Sequence, residues 1–170
     1  MYYQSFMFTP PGGFTFGIEG PACDWEGNLY AVNYAEQHTI GKVTSEGECS
    51  TFVKLENGSI GNGIRFNSKR EMLIADYTNH NILKVDMKTK KVMVFAHEDN
   101  MNQPNDICIT SEDIVFASDP CWKEETGKLW RVLPDGKVDL MEENMGTTNG
   151  IEVSPDEKTL YVNESRQRNI

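Results

Sequence analysis

Glu19, Asn62, Asn105 and Asn149 follow one another at intervals of 43, 43 and 44 residues, and each opens a similar short segment. The segments are Glu19-Gly20-Pro21-Ala22, Asn62-Gly63-Ile64-Arg65, Asn105-Asp106-Ile107-Cys108 and Asn149-Gly150-Ile151-Glu152. Every leading residue carries a side-chain oxygen. One carboxylate and three amides gathered at a point form an oxygen cage of low charge, which suits hard divalent cations such as calcium or magnesium, with manganese an alternative and zinc, which prefers nitrogen and sulfur, a poorer one. Neutral amide ligands leave more of the ion's charge to polarise a bound carbonyl or water. Asn62-Gly63 taken alone is ordinary turn chemistry. That Glu19, Asn105 and Asn149 share a register is harder to explain by turn chemistry and favours a site. Asn62 is expected to bound the substrate or a water.

Other residues carry weaker signals. Asp76 and Asp119 each fall 14 residues after the Asn of their segment. Either is a site carboxylate or a turn or sheet-edge carboxylate, and Asp119 is the better catalytic candidate. Trp122 is expected to wall the substrate pocket, against a plain surface aromatic, whereas Trp25 and Trp130 suit packing. His38, His80 and His97 share neither a register nor a metal-ligand spacing and are expected at the surface or in turns. There is no G-x-S-x-G, H-E-x-x-H or Walker motif, and the glycine-rich run Gly58–Gly63 precedes no helix that could present amides to phosphate.

Composition narrows the partners. A formal charge of −10 opposes binding to nucleic acid or an anionic membrane surface and suits a divalent cation. No run approaches the length of a membrane span, and Met1–Gly13 has neither a basic start nor a long apolar core, so no signal peptide is expected. Cys23, Cys49, Cys108 and Cys121 contain no C-x-x-C pair; reduced thiols and a cytoplasmic location are expected.

The elements that must position these residues also repeat. Each leading segment continues through a polar turn (Trp25–Asn28, Asn67–Arg70, Thr110–Asp113, Ser154–Lys158) into an apolar run (Leu29–Val32, Met72–Ala75, Ile114–Ala117, Leu160–Val162). In the first three units a third run follows (Thr39–Val43, Asn81–Val85, Lys128–Val132), then a turn and a fourth run. Short period-two runs joined by hairpin-grade turns make antiparallel sheets, and four strands per unit of this length are the signature of a β-propeller blade. An ordinary β-sandwich is the alternative. The fold class is therefore all-β, a propeller of four-stranded antiparallel blades, with units near 19–55, 60–98, 102–143 and an incomplete 146–170 in one domain. About 3.5 units are present, so the chain is expected to be cut short at its C-terminus. Gln4–Phe8 is expected as an outer strand of a further blade. In a propeller the first strands line the central channel, which brings Glu19, Asn62, Asn105 and Asn149 to one axis.

The run Gln103-Pro104-Asn105-Asp106-Ile107 with Phe116-Ala117-Ser118-Asp119-Pro120 resembles the P-N-D … F-T-D-P signature of gluconolactonases. Thr148–Val162 resembles their P-N-G-L-x-F-S-P-D-E-K-T-L-Y-V, and Glu19-Gly20-Pro21 their opening E-G-P. The chain is thus similar to the gluconolactonase, regucalcin and senescence-marker family, with diisopropyl fluorophosphatase as a more distant relative. The resemblance implies a six-bladed propeller with a divalent metal, usually calcium, in its channel. It implies ligands at Glu19, Asn105 and Asn149, with a fourth from an Asp in a later D-G motif that has no counterpart here. That Asp is also the family's water-activating group. Ser118 replaces the usual Thr, Asn163-Glu164-Ser165 replaces Ala-Asp-Thr, and the loop Cys121–Thr126 is short. The implied activity is metal-dependent hydrolysis of a sugar lactone. The alternatives are a phosphotriesterase-like hydrolase and a non-catalytic propeller binding calcium or a protein, the latter because Leu73–Ile82 also resembles NHL-type repeats.

Overall fold

The computed structural model describes residues 4–170, and every regular element in them is a β-strand. The first blade is β1 (Ala22–Cys23), β2 (Leu29–Val32), β3 (Thr39–Val43) and β4 (Cys49–Lys54). The second is β5 (Gly61–Phe66), β6 (Met72–Asp76), β7 (Asn81–Val85) and β8 (Val92–His97). The third is β9 (Ile107–Ile109), β10 (Val115–Cys121), β11 (Thr126–Val132) and β12 (Val138–Met145). The fourth holds β13 (Thr148–Val153) and β14 (Leu160–Glu164), after which Glu164 bridges Asn169. Each blade is an antiparallel meander in chain order. The first strands neighbour one another in the order β1, β5, β9, β13. The fold is the expected propeller architecture.

Packing explains why the second runs are continuously apolar. The middle strands are covered on both faces, because each blade is sandwiched between its neighbours. Along β6, Met72 and Ile74 join a cluster with Tyr30, Val32, Ile40 and Phe52 of the first blade. The alternate residues Leu73 and Ala75 join Ile107, Val115, Ala117 and Trp130 of the third. A third cluster, with Cys108, Leu129 and Ile151 at its centre, joins the third blade to the fourth. A strand buried on both faces loses the apolar–polar alternation of a one-sided sheet. The outer strands have a neighbour on one edge only and are more exposed: β12 is mostly exposed.

The turns between first and second strands form a second line of contact. Gly27, Arg70, Asp113 and Glu157 occupy equivalent turn positions, all with positive φ (81°, 62°, 62° and 56°). Two braces link successive turns. Ser68 donates through N and Oγ to the carboxylate of Asp113 (2.7 and 2.6 Å), and Ser111 does the same to Glu157 (2.7 and 3.0 Å).

Among the described residues Gln4–Phe8 pairs with no strand. It passes the β3–β4 turn, where a Cβ on Gly47 would lie 2.7 Å from the Phe8 carbonyl oxygen. No helix forms among the described residues, so none is long and apolar enough to cross a membrane. The four cysteines are free.

Ile74 is fully buried between the first two blades. Ile74→Ala should cost about 2–5 kcal/mol of unfolding free energy in urea titrations, through lost transfer energy plus a cavity. A cost below about 1 kcal/mol would mean that the two blades do not depend on this shared core.

Candidate metal centre

The tier of leading residues is built by backbone geometry. In all four blades the first strand carries one extra residue at the same place. In the second, Gly61 pairs with Asp76 and Ile64 with Ile74, so three steps face two across Asn62-Gly63. In the fourth, Thr148 pairs with Glu164 and Ile151 with Val162, which sets the bulge at Asn149-Gly150. In the third, Asn105 N donates to Ser118 O (2.9 Å) and Ser118 N to Asp106 O (3.0 Å), while Ile107 already pairs with Ala117. In the first, Val32 N donates to Glu19 O (3.1 Å) while Ala22 pairs with Tyr30. A bulge re-aims the side chain at the extra residue and sharpens the local twist. Repeated at Glu19, Asn62, Asn105 and Asn149, it treats four separate residues alike.

These bulges touch one another. Gly20 has φ +58°, and a Cβ there would lie 2.0 Å from the Asn62 carbonyl oxygen. A Cβ on Gly63 would meet the Asp106 backbone at 2.8 Å, and Gly63 N donates to Asn105 O at 2.7 Å. Glycine is required at both places by the close approach of neighbouring backbones. Where the third blade has Asp106 instead, its carboxylate accepts from Ile107 N (2.9 Å) and from Ile151 N of the fourth blade (3.3 Å). The contacts thus run from Glu19-Gly20 to Asn62-Gly63, to Asn105-Asp106 and on to Ile151.

The donor set suits a hard cation. Among the described residues, the side chains of Glu19, Asn62 and Asn105 make no hydrogen bond or ion pair, although Asn105 is only 8% exposed. Asn149 donates Nδ2 to Ser165 Oγ at 2.9 Å, which leaves its Oδ1 as a free acceptor. Acceptor oxygens that no protein donor occupies, one of them on a buried residue, suit an oxygen-seeking ion. No group of three or more His, Cys, Asp or Glu side chains able to hold a metal occurs among the described residues. The candidate cage is instead an amide cage with one carboxylate.

Asp119 is the sheet-edge residue of the third blade, a candidate for either a site or a structural carboxylate. It is fully buried, with both oxygens engaged: Asn102 N at 2.8 and 2.9 Å, Gln103 N at 2.6 Å and Trp130 Nε1 at 2.8 Å. Burial raises its carboxyl above the usual range, and the donors from Asn102, Trp130 and Gln103 offset only part of that. A carboxylate so occupied is a clamp on the segment leading into Asn105. The other blades do the same at the equivalent position. Asn33 donates to Gly17 O (2.7 Å), Asp76 accepts from Ser59 Oγ (2.8 Å) and Glu164 accepts from Gly146 N (2.6 Å). Each secures the backbone just ahead of a tier residue. Asn33, Asp76 and Asp119 share a 14-residue spacing from their tier residues, and Glu164 lies 15 after Asn149. Asp106 was missed as well, and burial likewise raises its carboxyl, opposed by Arg65.

Trp122 is half-buried in the β10–β11 turn, three residues beyond Asp119. Trp130 packs in the core as expected, and Trp25 stands edge-on to Phe66 across the first two blades, with centroids 5.7 Å apart. A groove of about 780 Å³ lies between the outer strands of the first two blades beside Lys54, Lys91 and His97, and none of the tier residues lines it.

Asp119→Ala should strip four donor contacts and cost roughly 3 kcal/mol of stability. A carboxyl whose folded pKa is raised contributes stability that is present below its unfolded value, 3.8, and lost as pH rises through the folded one. The deficit of Asp119→Asn in urea unfolding should therefore be larger near pH 4 than near pH 7; the opposite trend would show that the donors outweigh burial.

Comparisons with known proteins place the chain among its relatives. The model of the SMP-30/Gluconolactonase/LRE-like region matches residues 18–170. The gluconolactonase of Zymomonas mobilis subsp. mobilis is 28% identical over 174 aligned positions, covering 86% of this chain and 48% of that protein. This chain therefore spans about half the length of the curated relative it matches. Among solved structures, a gluconolactonase from Xanthomonas campestris superposes with a TM-score of 0.77 at 18% identity, over 93% of this chain and 57% of that one. Regucalcin from Agrobacterium tumefaciens, a calcium-binding protein, superposes with a TM-score of 0.72 at 22% identity, over 88% of this chain and 50% of that one. With its bulged tier and its match from residue 18 to residue 170, the chain belongs to the SMP-30/gluconolactonase/LRE-like family.

Proposed function

We propose that this chain belongs to a divalent-cation-dependent hydrolase that opens sugar lactones, with calcium the favoured ion. The observation that carries this is the tier itself. Four equivalent positions at or just ahead of the first strands, joined by backbone contacts from Glu19-Gly20 to Asn105-Asp106 and by the Asp106 carboxylate to Ile151, carry one carboxylate and three amides, whose oxygens no protein donor among the described residues occupies. Membership of a family that includes gluconolactonases supports the substrate class.

Glu19, Asn105 and Asn149 hold the ion. A bound divalent cation supplies the electrophile that stabilises negative charge on the lactone carbonyl oxygen. Ser165 fixes the Asn149 amide so that its oxygen, and not its nitrogen, is free. Asp119 is a positioning residue: it clamps Asn102 and Gln103, and through them sets the place of Asn105. Asn62 and Trp122 bound the substrate. Hydrolysis adds water at the carbonyl carbon and breaks the ring C–O bond, releasing a hydroxy acid.

The test pairs calcium calorimetry with turnover of a gluconolactone in calcium and in EGTA, with a phosphotriester as the competing substrate. Calcium binding, lactone turnover and its loss in EGTA are expected. Glu19→Gln and Asn149→Ala should each weaken calcium binding by about tenfold or more, since one oxygen ligand is altered or removed. Lactone turnover that is unchanged in EGTA rejects the proposal, and a preference for the phosphotriester reassigns the substrate.

A further inference from the structure

A second ring of equivalent positions lies three residues beyond the first: Ala22, Arg65, Cys108 and Glu152. Its charges are unlike those of the tier. Arg65 is the one Lys or Arg in β1, β5, β9 and β13. Its guanidinium is held in place from its own strand by Nη1 donating to Ile64 O at 2.9 Å. The same Nη1 lies 3.7 Å from Asp106 Oδ1, and Nη2 lies 3.5 Å from Glu152 Oε2. Asp106 adjoins Asn105, and Glu152 lies three residues beyond Asn149. The strands involved are not all neighbours. β9 stands between β5 and β13, so one side chain ties strands that do not touch directly. Cys108 feels all three charged groups. Burial first, then Glu152, pushes its thiol up to about 12, and Arg65 opposes the rise.

Acting through charge alone, a guanidinium beside a cation site repels the ion, and its removal tightens binding. The geometry points to a different role. Arg65 joins β5, which bears Asn62, to the segments that bear Asn105 and Asn149, through a planar fork with one arm toward each carboxylate. We propose that Arg65 is a positioning residue whose cross-strand tie sets the spacing of the two amide ligands, Asn105 and Asn149, around one divalent cation and holds the substrate-bounding Asn62 beside them. This rests on the metal-centre reading above. It adds a prediction of opposite sign to the electrostatic one: loss of the positive charge weakens cation binding.

The experiment measures calcium affinity by calorimetry, and Tb³⁺ luminescence lifetimes in H₂O and D₂O, which count the waters on the bound ion. The full chain is compared with Arg65→Met and Arg65→Lys, with near-ultraviolet circular dichroism as the check on packing. Arg65→Met should lower calcium affinity by about tenfold and add on the order of one water to bound Tb³⁺, because one amide oxygen no longer reaches the ion. Arg65→Lys keeps the charge but not the fork, disturbs folding less, and should weaken binding in the same direction to a smaller extent. A structural defect remote from the ion leaves the water count unchanged. Wild-type protein that binds neither Ca²⁺ nor Tb³⁺ overturns the metal-centre reading itself. Wild-type binding that both substitutions leave unchanged, or that Arg65→Met strengthens, overturns the role of Arg65 alone.

Discussion

Neighbouring first strands approach so closely that backbone meets backbone without an intervening side chain. At Gly20 a single added carbon would overlap the Asn62 carbonyl, and at Gly63 it would run into Asp106. This crowding follows from the architecture, since strands that converge on an axis have less room the nearer they lie to it. The one-residue bulge is the local answer. It adds twist where the sheets draw together, and it turns one side chain per blade out of the strand's ordinary alternation. The candidate ligands are thus positioned by peptide groups of three-dimensional neighbours, and the scaffold bears the cost of bringing oxygens together before any ion arrives. Preorganisation of this kind is what lets a weakly charged amide set compete for a cation against its hydration shell.

The acidic residues divide accordingly. Asp119, Asp76 and Glu164 accept hydrogen bonds from the segments ahead of the tier, and Asn33 holds its segment by donating. Asp106 accepts from Ile151 in the next blade and lies near Arg65. These groups spend their lone pairs on the protein, and burial raises the carboxyls of Asp106 and Asp119. Glu19 takes no partner and is exposed. A carboxylate that is buried and fully hydrogen-bonded cannot also bind an ion without giving up donors that would then be left unpaired in the interior. The fold therefore keeps its clamps and its candidate ligands on different residues, one turn of the hairpin apart.

Much of this was legible beforehand because it depends on short stretches of chain. The repeat at 43 and 44 residues, the turn clusters and the four-run units are all visible in the residue order, and so is the shared register of Glu19, Asn62, Asn105 and Asn149. The continuous apolar runs such as Met72–Ala75 also fit a strand covered on both sides, as β6 proved to be. The role of Asp119 was not legible. A carboxylate 14 residues after Asn105 stands at the end of the second strand whether it faces a substrate or a backbone amide, and spacing does not separate those cases. The bulges were hidden too, since one extra residue in a strand leaves a nearly normal period-two pattern.

Residue order by itself determined where strands and turns fall, how often the unit recurs and which oxygen-bearing residues share a place in it, because alternation and turn preference act over a few neighbouring residues. Tertiary structure alone decided which acidic side chains are used up as clamps, which oxygens stay idle, and that Arg65 reaches both Asp106 and Glu152. Those outcomes depend on how many donors from distant parts of the chain meet at one atom, and that number exists only once the blades have packed.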